Sequence, residues 1–279
     1  MLSILIPSFD EPYLQATIDS LKTNAVGEIE IIPVLDRVPF NFGMRYCINK
    51  GLAQAKGEYI MKVDAHCSFA PGFDKVLIDS CQENWLMIPR RYSLDEVNWT
   101  KNETRPIRDY HFLSYPFGHE SNYTVGIFSW DWLARGKARS DPKYNIDDTM
   151  TFQGSCWLAN RKYFMQHVGL LNGRKKFYGK FAAEQLEIGL KYWLNDGEVK
   201  VNKNTWYAHL HKGERYGRMY WMSRTENRES YKYAYKHWII DNNDFIISLF
   251  EKFNQDLMMP GWPKDFKEKL WKQKTLYSL

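Results

Sequence analysis

In the run KVDAHCSF, Asp64 and His66 are separated by one residue directly after an apolar segment. At an extended strand end, residues i and i+2 face the same way, so a carboxylate oxygen and an imidazole nitrogen there can share one divalent cation. The same pair also reads as a helix N-cap aspartate followed by a surface histidine. Two glutamates in AAEQLE, Glu184 and Glu187, fall on one helical turn. Carboxylates so placed can orient or deprotonate a hydroxyl, or merely complement the positive end of a helix. Towards the C-terminus Arg224, Arg228, Lys232 and Lys236 recur every four residues, interleaved with Tyr220, Trp221, Tyr231, Tyr235 and Trp238. Such a helix can track phosphates while its aromatics stack on bases, or show solvent a charged face while its aromatics dock onto the rest of the chain.

The elements that must position these groups follow from periodicity. Apolar strand-like runs at 2–7, 28–35, 58–63 and 85–88 alternate with helical patterns at 11–23, 42–55 and 72–82, a rhythm that predicts a parallel sheet wrapped by helices. Ligands of such sheets sit beyond the carboxyl ends of the strands, which gathers residues 8–12, 36–37 and 64–68 along one edge. Regularity lapses over 90–148, an irregular insertion too long for an ordinary connection and therefore read as functional or partly ordered by ligand. It returns with a strand over 149–159, a helix from Arg161 towards His167, a helix over 181–195, and short strands at 199–201 and 205–209. The predicted division is a catalytic unit over 1–212 and a basic, aromatic helical appendage over 213–279.

Composition narrows the class. The 279 residues are 44% hydrophobic and carry a formal charge of +5, which excludes disorder and modestly favours a phosphate-bearing partner. No apolar run approaches the roughly 18 residues of a membrane helix. With no signal-peptide pattern at the N-terminus, the chain reads as a cytoplasmic one. Cys47, Cys67, Cys81 and Cys156 lie far apart and read as reduced thiols. The sequons at Asn98, Asn102 and Asn122 then read as chance matches.

Four blocks resemble nucleotide-sugar glycosyltransferases of the GT-A (Rossmann-like) fold, within it the polypeptide N-acetylgalactosaminyltransferases and the broad family-two transferases. They are IPSFDEPYLQATIDSL, GMRYCINKGLAQAKGEYIMKVDAH, MTFQGSCWLANRKYF and AAEQLEIGLKYWLNDGEVKVNKNTWYAHLH. The resemblance implies an α/β fold with a mixed, mostly parallel sheet flanked by helices, and a nucleotide-sugar donor, UDP-linked in the closest pattern. It implies a divalent metal, Mn2+ with Mg2+ as the alternative, held by Asp64, His66 and His209. His209 otherwise reads as an aromatic-flanked core histidine, and His211, on the same strand face, is an alternative ligand. Donor contacts fall on Ser8, Glu11, Asp36, Arg45 and Asp64, acceptor contacts on Gly154, and catalysis on Glu184 or Glu187. Glu11 reads equally as a first-turn helix charge and Arg45 as a solvated one, while for Asp36 the reading as a turn residue comes second to the donor contact. Where inverting family-two enzymes carry Glu-Asp, this chain has Glu184-Gln185, which leaves a retaining outcome open.

The run 146–164 and the run NKNTWYAHLHKG are also similar to phage-encoded enzymes that glycosylate hydroxymethylated bases in DNA. That resemblance makes 5-hydroxymethylcytosine in DNA the expected acceptor, with Arg224, Arg228, Lys232 and Lys236 on its backbone and the host cytoplasm as the location. A cell-surface or lipid-linked glycan, reached through peripheral membrane contact of the basic helix, is the alternative. A non-catalytic nucleic-acid-binding module on a degenerate scaffold is a third, and it leaves a metal set and a carboxylate around one cleft without purpose.

Overall fold

The computed structural model describes residues 1–114, 127–212, 217, 220, 223–255 and 257–277. The first half runs β1 (Leu2–Phe9), α1 (Leu14–Asn24), β2 (Ile29–Asp36), α2 (Met44–Leu52), β3 (Tyr59–Val63), β4 (Cys67–Phe69), α3 (Phe73–Ser80) and β5 (Trp85–Asp95). Short pieces follow: β6 (Thr100–Asn102), β7 (His111–Leu113), β8 (Ser129–Asp131), α4 (Leu133–Ala138) and β9 (Ile146–Asp148). Then come β10 (Cys156–Asn160), α5 (Arg161–His167), α6 (Glu184–Leu194), β11 (Glu198–His209), α7 (Arg224–Tyr235), α8 (Asn243–Asn254) and α9 (Phe266–Tyr277).

The main sheet has the order β2-β1-β3-β10-β5-β11-β4. Strands β1, β2 and β3 pair in parallel, as do β5 and β11, while β10 runs antiparallel between β3 and β5. The expected mixed, mostly parallel sheet flanked by helices is thus the one the chain adopts. Burial tracks position in it. All residues of β1 and β10 are buried, as a strand covered on both faces requires. The edge strand β2 alternates along its second half, and tolerates Pro33 because an edge leaves one row of N–H groups without a ladder partner.

The pleat sends alternate side chains to opposite faces. Leu5 packs with Ile48 of α2, Phe164 of α5 and Ile188 of α6. Ile4 and Ile6 pack with Leu21 of α1 and Leu77 of α3. A third cluster joins Leu186 and Leu190 of α6 to Trp238, Ile239, Phe250 and Leu270. It crosses residue 212, so the last three helices share a core with the strand-and-helix unit. Trp238 donates to Tyr178 Oη at 2.8 Å and Trp262 to the Leu113 carbonyl at 2.7 Å.

Three element boundaries differ from expectation. The strand expected over 149–159 is extended only at Cys156–Asn160. Ahead of it the Thr149 hydroxyl donates to the Thr151 carbonyl, and Gln153 Oε1 accepts from the Ser155 amide at 2.9 Å, local bonds that compete with a ladder. The strand expected to stop at 88 continues to Asp95, paired with β6 and β11. The two short strands expected at 199–201 and 205–209 are one strand with an irregularity between Asn202 and Trp206, where the Asn202 side chain accepts from the Asn204 amide.

Candidate active site

Three loops meet beyond the carboxyl ends of β1, β2 and β3, as the sheet topology requires. Asp64 directly follows β3, and its amide donates to the Ser155 carbonyl at 2.8 Å. His66 opens the turn into β4, its carbonyl held by the Leu210 amide. His209 ends β11, opposite Cys67 of β4. These pairings bring residues 143 and 145 positions apart into contact. His209 Nε2 lies 3.1 Å from His66 Nε2 and 3.2 Å from Asp64 Oδ2.

That arrangement fits a divalent cation. Six-coordinate metal–ligand bonds of about 2.1 Å at right angles place neighbouring donor atoms about 3 Å apart. One carboxylate and two imidazoles, with donor atoms all within 4.8 Å of one another, also leave coordination positions for a substrate. Outer partners orient the ligands. Glu11 Oε2 faces His66 Nδ1 at 3.1 Å and accepts from Lys212 at 2.6 Å. Lys62 Nζ, fully buried, donates to Asp64 Oδ1 at 2.5 Å and to the Gly154 carbonyl at 2.6 Å. His209 Nδ1 is buried and has no such partner among the described residues.

The electrostatics match. Burial holds the His209 imidazole down at about 3, against the opposing pull of its bond to Asp64, so the ring is neutral as a metal ligand must be. Burial opposes ionisation of Asp64, but the Lys62 ammonium and the His209 bond keep its carboxyl far below the usual range. Burial likewise opposes ionisation of Glu11, and bonds to His66 and Lys212 outweigh it.

A cleft of about 160 Å³ runs from this triad past Ser8, Phe9 and Glu11 to Asp36 and Met44. Asp36 Oδ2 accepts from the Gly43 amide at 2.9 Å, whereas its buried Oδ1 has no hydrogen-bond partner among the described residues. Gly43, at φ +94°, lets Lys180 approach so closely that a Cβ there would meet Lys180 Cβ at 2.6 Å. The wall this closes is faced by Phe181 and Tyr220, stacked at 4.8 Å.

The structure gathers Ser8, Glu11, Asp36, Asp64, His66 and His209 into this one cleft, and His211 lines it as well. Arg45 and Glu187 are placed elsewhere. Arg45, fully buried, forms an ion pair with Glu187, donates to the Ala182 carbonyl and sits 4.5 Å from the Tyr178 ring centroid. Lys191 holds the other Glu187 oxygen at 2.7 Å. Arg45, the expected donor contact, and Glu187, one of the two expected catalytic carboxylates, thus pair with each other as a strut between α2 and α6. Glu184, at the first turn of α6, packs against Gly154, where an added Cβ would collide with Glu184 Oε1. Burial pushes its carboxyl up, against the pull of Lys62 and Arg45.

On the basic helix, Arg228 and Lys236 are exposed and Lys232 is half-buried. Lys232 pairs with Glu229 and Lys236 with Asp241. Lys232 and Lys236 share a shallow groove with Lys175 and Lys176. The α-helix that carries the four-residue spacing ends at Tyr235, and Lys236 opens a π-helical turn (Lys236–Asp241). Of the two readings of the interleaved aromatics, docking onto the rest of the chain holds for these: Tyr235 and Trp238 are in the core and Tyr231 lies on Phe128. Trp221, Asn122 and the side chain of Arg224 lie outside the described residues.

One consequence concerns stability. Buried His111, whose Nε2 lies 2.9 Å from Asp131 Oδ1, is held down at about 3 by burial, with Arg91 and Arg108 adding repulsion. An unfolded histidine titrates near 6.5, so between these values the unfolded chain binds the proton and the folded one does not. Stability is complete above about pH 6.5 and falls towards pH 3, by up to about 1.4 kcal/mol per pH unit for each such histidine. Urea midpoints of His111→Gln should fall less steeply over that window than those of wild type. Parallel slopes would remove His111 as a source of acid sensitivity.

Residues 35–168 match the family model described as Glycosyl transferase family 2. Among curated proteins, the chain is 25% identical over 165 residues to a putative polypeptide N-acetylgalactosaminyltransferase 13 of Drosophila melanogaster, covering 57% of this chain and 26% of the relative. It is 24% identical over 169 residues to polypeptide N-acetylgalactosaminyltransferase 3 of Mus musculus, covering 59% and 25%. The chain thus spans about a quarter of the length of these relatives. The crystal structure of GalNAc-T7 with UDP, GalNAc and Mn2+ superposes with a TM-score of 0.63 at 15% identity, over 99% of this chain and 55% of that one. That likeness shows a shared fold.

Proposed function

We propose, from a chain whose residues 35–168 match the glycosyl transferase family 2 model, a metal-dependent transferase that moves a sugar from a nucleotide diphosphate sugar to an acceptor hydroxyl. The observation that carries this reading is the convergence of Asp64, His66 and His209 at the mouth of the cleft. A cation held there would neutralise charge developing on the diphosphate leaving group.

The chain's own residues supply the rest. The unpartnered Asp36 Oδ1 accepts a donor N–H or hydroxyl from the nucleoside, because a buried carboxylate oxygen left unpaired costs free energy that a ligand recovers. UDP is the nucleotide expected, as in the GalNAc-T7 complex. Phe181 and Tyr220 narrow the cleft and exclude water. Glu184 receives or orients the acceptor proton, its raised carboxyl pKa bringing it nearer the operating pH. Gln185 cannot take that role, which keeps a retaining outcome open.

For the acceptor we favour a hydroxymethylated base, 5-hydroxymethylcytosine, in DNA. Its support is the basic groove of Lys175, Lys176, Lys232 and Lys236, since phosphate contacts are made by lysine-lined surfaces; the inward-turned aromatics supply no stacking platform. A cell-surface or lipid-linked glycan is the competing acceptor. No described helix is long and apolar enough to cross a membrane.

The test is a donor-by-acceptor screen read by mass spectrometry, with hydroxymethylated duplex DNA, lipid-linked glycan and serine/threonine peptides as acceptors. A hexose-type mass increment on the DNA base supports the acceptor assignment. An increment on glycan or peptide alone overturns it and keeps the transferase, and replacing Arg228, Lys232 and Lys236 with Gln should then change nothing. If DNA is the acceptor, that triple variant should lower transfer and flatten its salt dependence, by a slope of roughly 0.9 per lost phosphate contact.

A further inference from the structure

The metal triad carries an arrangement that ligand placement alone does not require. Asp64 is matched by the fully buried ammonium of Lys62 at 2.5 Å, and Glu11, behind His66, by Lys212 at 2.6 Å with both side chains less than a tenth exposed. Two carboxylates therefore face the imidazole pair, and each is cancelled by a lysine, leaving the four side chains with no net charge. Arg91, within electrostatic reach of His209, shares Asp131 with Arg108, the closer of its two partners, and so adds no negative charge to the site.

We infer that Lys62 and Lys212 keep the metal triad electrically neutral, so that the divalent cation is captured together with the donor's diphosphate rather than alone. The inference rests on the metal-dependent transferase reading. A cation brought to a neutral site gains coordination bonds but little net Coulombic attraction, and Lys62, one carboxylate away, repels it at a range where screening is weak. A diphosphate brings several negative charges to the same place. Cation and nucleotide each raise the other's affinity, and by linkage they do so by one common factor. The arrangement also answers why a lysine sits in the otherwise apolar strand YIMKV: its stem crosses the core while its head reaches both Asp64 and the Gly154 carbonyl.

The experiment titrates Mn2+ into the full chain, following free Mn2+ by electron paramagnetic resonance, without nucleotide and with saturating UDP, GDP or TDP. Wild type should bind Mn2+ at least tenfold more tightly with one of these diphosphates than alone. Lys62→Gln keeps a neutral donor for Asp64 Oδ1 and the Gly154 carbonyl but removes the charge, so it should tighten Mn2+ binding in the absence of nucleotide by tenfold or more and shrink the coupling. Lys212→Gln should shift in the same direction by less, and provides the test if the buried substitution does not fold. A purely orienting role predicts the opposite sign, since lost outer contacts weaken metal binding by about 10–100-fold. Weaker or unchanged Mn2+ binding in folded variants, or equal wild-type affinity with and without diphosphate, overturns the inference while leaving the transferase reading standing. No Mn2+ binding under any condition overturns both.

Discussion

Asp64→Asn will abolish sugar transfer and donor cleavage in a protein that still folds. The carboxylate supplies the one anionic ligand of the triad, and Oδ2 is the atom that faces His209. Loss of a single electrostatic contact that stabilises a developing charge costs about 10²–10³-fold in rate, and removing the only charged metal ligand sets that as a lower bound. A strand-end carboxylate at the surface would tolerate alanine without harm to the fold; Asp64 is not such a group, because Lys62 beneath it is fully buried. Asp64→Ala strands that ammonium, and breaking a buried pair costs about 3–5 kcal/mol. Asparagine keeps a carbonyl oxygen for Lys62 Nζ. Thermal melting should therefore separate the two variants, with Asp64→Ala the less stable and both inactive. Transfer by folded Asp64→Asn at anything near the wild-type rate would remove the carboxylate from the chemistry.

The second large effect divides the two glutamates of α6. Glu184→Gln should lower kcat by about 10²–10⁴-fold, the range lost with acid–base assistance, while nucleotide affinity and melting temperature change little. Glu187→Gln should do the reverse. Its carboxylate holds Arg45 with one oxygen and Lys191 with the other, whereas glutamine keeps a single carbonyl oxygen for the two cations and no negative charge against the buried guanidinium. The expected cost approaches the roughly 3–5 kcal/mol of a broken buried pair, with kcat per folded molecule near wild type. Normal turnover in Glu184→Gln together with a dead but stable Glu187→Gln would exchange the two assignments.

Much of the scaffold was legible because each segment of the first ninety residues repeats one strand-then-helix period, and the strand ends mark the ligand edge wherever the sheet is parallel. Asp64 and His66 were legible for a related reason, since the i, i+2 relation at a strand end is a local property. His209 was not, except through family resemblance: its partners are 143 and 145 residues away, and the flanking Trp206 and Tyr207 read equally as core. Arg45 and Glu187 entered the expected site through the family resemblance, and their pairing across 142 residues is a tertiary event that no local pattern shows. Lys62 went unremarked although it carried a signal. A lysine inside an apolar strand of a doubly covered sheet must have a buried partner, and the nearest acid is Asp64. Lys212 offered no such signal, as a lysine after a strand end is ordinary. The inward turn of Tyr235 and Trp238 follows from tertiary burial, Tyr235 reaching Gln273 of α9 and Trp238 bonding to Tyr178.

The claim on which the rest depends is that Asp64, His66 and His209 hold a cation that acts on a nucleotide diphosphate sugar. Release of nucleoside diphosphate from UDP-sugars, followed by chromatography without any acceptor, tests it most directly. Cleavage that proceeds with Mn2+, stops in excess chelator, returns when Mn2+ is restored and is missing in Asp64→Asn is the predicted result. Equal cleavage with and without chelator, or cleavage that survives in Asp64→Asn, would contradict it.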